Sequence, residues 1–173
     1  MCGAGTIPIE AALAALGRAP GAARGFAFES WPACAGVPVA AAAAKMIDRP
    51  TPPIVAGDRE AGALDLARRN AARAAVDAHV SFSLADAATL ALPERPGLIV
   101  VNPPYGARLT AGPANAAYRA LATLLRRARG WRLAVLAPAP VVQQIAAGLR
   151  PRASYPLENG GIRVQLALFG PLA

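Results

Sequence analysis

After residue 53 the chain alternates short strand-like apolar runs with stretches at helical spacing, and that alternation is what most restricts its fold. Ile54-Val55-Ala56 stops at Gly57-Asp58, and Glu60 to Ala75 then reads as a helix with Leu64, Leu66 and Ala67 inward. Val80 to Leu84 alternates Val, Ser, Phe, Ser, Leu and ends near Asp86, as a half-buried strand does. Leu98 to Val101 is wholly apolar and predicts a fully buried strand, whereas Ala116 to Arg129 predicts a helix whose arginines suit the C-terminal dipole. Leu133 to Leu136 predicts a strand, Val141 to Leu149 a short helix, and Ala153 to Leu157 a weak strand. Asn159-Gly160 is a hairpin signal before a final strand, Ile162 to Phe169. Strands joined through helices lie parallel in a sheet covered on both faces, and the closing hairpin adds an antiparallel strand. The expected class is α/β, a Rossmann-like sheet with helices on both faces and a C-terminal antiparallel hairpin.

Ahead of this, the glycine-rich loop Cys2-Gly3-Ala4-Gly5 enters a helix spanning Thr6 to Leu16. Residues 18–53 are rich in Gly, Pro and Ala and read as an insertion packed on the core. Phe26, Phe28 and Trp31 would form its centre, and Val39 to Met46 its one short helix. At 173 residues the expectation is one domain, 1–173.

The hydrophobic fraction of 55% comes largely from alanine, and no run approaches a charge-free membrane-spanning length, which argues against a membrane protein. No secretory signal opens the chain, and only Cys2 and Cys34 are present, so a reducing cytoplasm fits. The single histidine, His79, and the two distant cysteines have no metal-ligand spacing, and no metal is expected. The net charge of +8, nearly all from arginine, suits a polyanionic partner. A GC-rich coding bias would give the same arginine and alanine excess, so charge is supporting evidence only.

In such a sheet, ligands bind at the C-terminal ends of the strands. Gly3, Gly5, Asp58, Glu60, Asp86 and Asn102 all fall on that edge. Glycines admit a ligand close to the backbone, and an acid at a strand end can accept both ribose hydroxyls, a pattern that favours a nucleoside-containing cofactor. Cys2-Gly3-Ala4-Gly5-Thr6 lacks the third glycine of the dinucleotide fingerprint and any Lys-Ser or Lys-Thr pair, so a nucleoside without phosphate fits better. Taken singly, each piece also has a plain reading: an ordinary turn for the glycines, a helix N-cap for Asp58, a turn cap for Asp86. Directly after Leu98–Val101 comes Asn102-Pro103-Pro104-Tyr105, stiffened by two prolines. Such a turn offers amide and carbonyl acceptors beside a flat ring, suited to a planar base bearing an amine. It is equally a strand exit whose Tyr105 merely packs.

The ordered set Met1-Cys2-Gly3-Ala4-Gly5-Thr6-Ile7-Pro8-Ile9-Glu10-Ala11-Ala12, Phe26-Ala27-Phe28-Glu29-Ser30-Trp31-Pro32 and Asn102-Pro103-Pro104-Tyr105-Gly106 resembles one family over essentially the whole chain. It is similar to the S-adenosylmethionine-dependent RNA guanine-N2 methyltransferases that usually carry a THUMP domain, particularly their bacterial 23S rRNA branch. The resemblance implies a class I methyltransferase sheet and S-adenosyl-L-methionine as cofactor. It implies Gly3 and Gly5 beside the methionine part, Cys2 and Thr6 of the same loop as cofactor-binding, Asp58 on the ribose with Glu60 as a less favoured substitute, and Asp86 towards the adenine amine. Asn102, which also borders the cofactor, would with Pro103, Pro104 and Tyr105 hold the target base. Asn102 Oδ1 and the Pro103 carbonyl would accept the amine protons, and Tyr105 would stack on a base taken out of its helix.

Family members have a strand and an Asp-Pro pair before the Met-Cys-Gly-x-Gly loop, and an RNA-binding THUMP domain ahead of that. The chain therefore reads as the C-terminal catalytic part with the first strand missing, expected to fold marginally and to bind cofactor poorly alone. The expected partner is rRNA. The alternatives are a tRNA guanine-N2 enzyme, a DNA adenine-N6 enzyme, or an RNA-binding remnant without catalysis. Arg108, beyond the tetrapeptide, could contact phosphate, while Arg126, Arg127 and Arg129 read as a solvated helix end.

Overall fold

The computed structural model describes residues 1–19, 25–35, 52–105 and 111–172; the helix candidate at Val39–Met46 and Arg108 lie outside the described residues. Helix α1 covers Thr6–Ala15. Strand β1, Val55–Asp58, is followed by α2, Ala61–Arg73, and by β2, Ser81–Leu84. Strand β3, Leu98–Val101, leads into α3, Ala111–Arg127, then β4, Arg132–Ala137, and α4, Ala139–Ile145. The hairpin of β5, Ala153–Asn159, and β6, Ile162–Phe169, closes the chain. Among the described residues no helix is long and apolar enough to cross a membrane.

The strands fall into two sheets. One pairs β1 with β2 in parallel, Val55 opposite Ser81 and Asp58 opposite Leu84. The other has the order β3-β4-β6-β5, with β3 parallel to β4 and β6 antiparallel to both its neighbours. Each sheet has its own core. Ile9, Ala12 and Leu16 of the α1 segment pack with Ala56, Ala71, Val76 and Val80. Val101, Leu133, Val135 and Ala137 pack with Tyr118, Leu121, Leu124 and Leu125 of α3 and with Val142 and Ile145 of α4. Both sequence and structure are α/β with an antiparallel C-terminal hairpin, and β1 and β3 each have one edge without a strand partner among the described residues.

Five expectations need correction. Leu98–Val101 is not fully buried: Leu98 is 50% and Val100 45% exposed, whereas Val101 is buried. Successive strand side chains face opposite ways, and only the face of Val101 meets α3 and α4. Leu66 is 40% exposed because the buried stripe of α2 is Leu64, Ala67 and Ala71, three and four residues apart, which places Leu66 on the far side. Helix α3 begins at Ala111, five residues before the expected start, because Pro113 in the first turn lacks an N–H that would be unpaired there anyway. Trp31, expected inside an insertion core, is 59% exposed, although the Phe26 and Phe28 rings stack at 5.7 Å. The hairpin tip lies one residue late. Gly160 and Gly161 are both left-handed, at φ of 57° and 78°, leaving Asn159 as the last strand residue opposite Ile162.

Candidate active site

A cleft of about 280 Å³ opens where the two sheets approach, with walls from Gly3, Asp58 and Arg59 on one side and Asn102, Pro104 and Ala117 on the other. Met1, Ala85, Asp86 and Ala87 complete it. It sits at the C-terminal ends of β1, β2 and β3, where an α/β sheet presents its ligands. Of the site residues expected from sequence, the cleft brings together Gly3, Asp58, Asp86, Asn102 and Pro104. Cys2, Gly5, Thr6, Glu60, Pro103 and Tyr105 do not line it.

Asp58 is the organising group on the β1 side. Its Oδ2 accepts the Gly3 N–H at 2.9 Å and its Oδ1 the Glu60 N–H at 3.1 Å, and the N-terminal ammonium lies 3.4 Å from Oδ2. Burial alone would push this carboxyl up, but the two backbone N–H groups and the ammonium together hold it below its ordinary value. The Gly57 carbonyl accepts both the Met1 ammonium and the Cys2 N–H, so the first two residues are laid along β1. The thiol of Cys2 is pushed up by burial, with the ammonium opposing and the Asp58 carboxylate adding to the rise, as suits a packing residue rather than a nucleophile.

The two loop glycines do different work. A Cβ on Gly3, at φ +54°, would meet nothing within 4 Å, so the space beside it is open to a ligand. A Cβ on Gly5, at φ +84°, would fall 3.0 Å from Ala67 Cβ, so Gly5 is required for the close packing of α1 on α2 rather than for the cleft. Glu60 is exposed beside Arg59, at 3.3 Å, and does not line the cleft. Asp86 accepts the Ala88 N–H at 2.8 Å and so caps its turn while still lining the cleft. That turn is strapped from behind: the Arg127 guanidinium donates to the carbonyls of Ala88 and Leu90, so Arg127 is not a freely solvated helix end.

On the β3 side, Asn102 is exposed, and among the described residues its side-chain amide has no hydrogen-bond partner. Pro103 is wholly buried and does not line the cleft, whereas Pro104 does. The Pro104 carbonyl accepts the buried Tyr118 hydroxyl at 2.6 Å. Tyr105 packs partly on the core, and its hydroxyl accepts the Asn159 amide N–H at 2.8 Å. Reasoning from sequence missed Arg59, Ala117, Tyr118 and Asn159 at this site. Only Arg59, next to Asp58, carried a local signal; the others reach it from distant elements.

This donor and acceptor set fits a nucleoside. Asp58 keeps spare lone pairs for hydroxyls, Asp86 can accept from an amine, and the space beside Gly3 is free. The RMKL-like methyltransferase domain family matches residues 1–167. The chain is 35% identical to the ribosomal RNA large subunit methyltransferase K/L of Magnetococcus marinus, over 98% of this chain and 25% of that protein. It is 36% identical to the protein of the same name from Chromohalobacter salexigens, over 100% of this chain and 25% of the other. It thus spans a quarter of the length of these relatives. Among solved structures it is similar to SMU.472 complexed with SAH, with a TM-score of 0.81 at 27% identity, covering 99% of this chain and 46% of that one. A predicted N6-adenine-specific DNA methylase from Listeria monocytogenes gives 0.77 at 30% identity, over 99% and 45%. With the family model covering nearly all of its length, the chain belongs to the RMKL-like methyltransferase domain family.

Proposed function

We propose that this domain transfers a methyl group from S-adenosylmethionine to the exocyclic N2 amine of a guanine in 23S rRNA. The observation that carries this reading is that Asn102, whose side-chain amide has no hydrogen-bond partner among the described residues, lines one cleft with Asp58 and Asp86. The names of the K/L relatives support ribosomal RNA as the substrate. Asp58 would hold ribose hydroxyls, Asp86 the adenine amine, and the open side of Gly3 the amino-acid part. Bound there, S-adenosylmethionine supplies a methyl group activated by its positive sulfur.

The guanine amine is a poor nucleophile because its lone pair is delocalised into the ring. Asn102 Oδ1, accepting one amine proton, draws the nitrogen towards a tetrahedral geometry and frees the lone pair. The nitrogen would then take the methyl group as sulfur keeps the electrons of the broken C–S bond, and the cationic amine would lose a proton to water. No covalent enzyme intermediate is needed, and positioning with electrostatics supplies the rate. The second acceptor is a tetrapeptide carbonyl. Pro103 is the one that the family resemblance implies; Pro104 lines the cleft and keeps one lone pair beside the Tyr118 bond.

The test is transfer of labelled methyl to separated 23S rRNA, tRNA and DNA by the protein carrying this domain. The expected result is labelling of rRNA, with Asn102→Ala losing about 100-fold or more of the transfer and S-adenosylmethionine affinity kept. Labelling of tRNA or DNA alone, or equal loss of transfer and cofactor binding in the variant, overturns the reading.

A further inference from the structure

We propose that Asn159, at the tip of the β5–β6 hairpin, is a positioning residue that sets the plane of the Tyr105 ring and so the seat of the target base. The inference rests on the proposed base-holding role of the tetrapeptide. Two hydrogen bonds from distant elements bracket the Pro104–Tyr105 unit. The Tyr118 hydroxyl on α3 holds the Pro104 carbonyl at 2.6 Å and so fixes the peptide plane from which Tyr105 departs. The Asn159 amide holds the Tyr105 hydroxyl at 2.8 Å, the far end of the same ring. With both ends held, the two side-chain torsions between them have little freedom. Without the outer bond, the ring can swing about its first two torsions.

The hairpin is built to deliver this contact. Antiparallel pairing runs without interruption from Ala153 opposite Leu168 to Asn159 opposite Ile162, and β6 is itself paired to β4 in the middle of its sheet. The left-handed glycines at 160 and 161 turn the chain immediately after Asn159, so the amide sits at the end of a pinned strand rather than on a loose loop. Asn159 does not itself line the cleft and accepts or donates no proton in the reaction; it acts through Tyr105.

The experiment labels the three tyrosines with 3-fluorotyrosine and follows fluorine NMR alongside steady-state kinetics on 23S rRNA. Asn159→Ala is expected to move the Tyr105 signal while leaving those of Tyr118 and Tyr155 in place. It should also lower kcat about tenfold, with KM for S-adenosylmethionine unchanged. Asn159→Asp, whose carboxylate can accept from the Tyr105 hydroxyl, should restore both. Tyr105→Phe should lower kcat as Asn159→Ala does, and the double variant should lose about no more than either alone, as expected of one shared bond. An unmoved Tyr105 signal in Asn159→Ala, or kinetic losses that multiply in the double variant, overturns the proposal. If wild type transfers no methyl to rRNA, the reading of function fails, and the fluorine signals still decide whether Asn159 places the ring.

Discussion

At the scale of single residues, Asp58 joins folding to the site. The same carboxylate that faces the cleft ties the Gly3 loop to the end of β1. Its pKa is lowered on folding, so its contribution is present in full above the ordinary value of 3.8 and is lost as pH falls through the lower folded value. Thermal unfolding between pH 6 and pH 2 should show wild type losing stability at the acid end, with Asp58→Asn flatter over that window. The same substitution should weaken S-adenosylmethionine binding by about 10- to 100-fold, since it replaces a charged acceptor, a change readable by calorimetry. Asp58 and Asn102 were legible because each follows a strand-like run directly. Tyr118 and Asn159 were not: their contacts cross 14 and 54 residues, and nothing local marks them until helix and hairpin are placed. A two-proline turn also does not announce which ring faces the core: Pro103 is buried, while Pro104 lines the cleft.

At the scale of elements, the alternation of runs correctly gave the order of strands and helices, and the last strand, Ile162–Phe169, to the residue. Burial was harder to read. Four apolar residues in a row look the same whether one face or two are covered, and β3 is covered on one. The packing of α1 against α2 depends on Gly5, whose left-handed backbone and 3.0 Å approach to Ala67 leave no space for a methyl group. Gly5→Ala should therefore destabilise the domain by about 1–3 kcal/mol, measured by urea unfolding. Gly3→Ala, left-handed but with open space around it, should cost less stability and more cofactor affinity. Equal losses in the two variants would remove the distinction between a packing glycine and a cleft glycine.

At the scale of the whole molecule, two sheets with separate cores contribute one wall each to a single cleft. The β1 side carries the acids, and the β3 side carries the amide. The distance across which a methyl group would travel is thus set by how the two cores lie against each other. The open edge of β3 has a further consequence, for how molecules of this chain meet. Leu98 and Val100 are exposed beside backbone groups that no strand among the described residues pairs, which makes β3 a template for edge-to-edge association between copies. The chain alone should sediment as concentration-dependent oligomers, and Val100→Lys should return it to the monomer. The colloidal behaviour of the domain would then be decided by the strand that leads directly into Asn102.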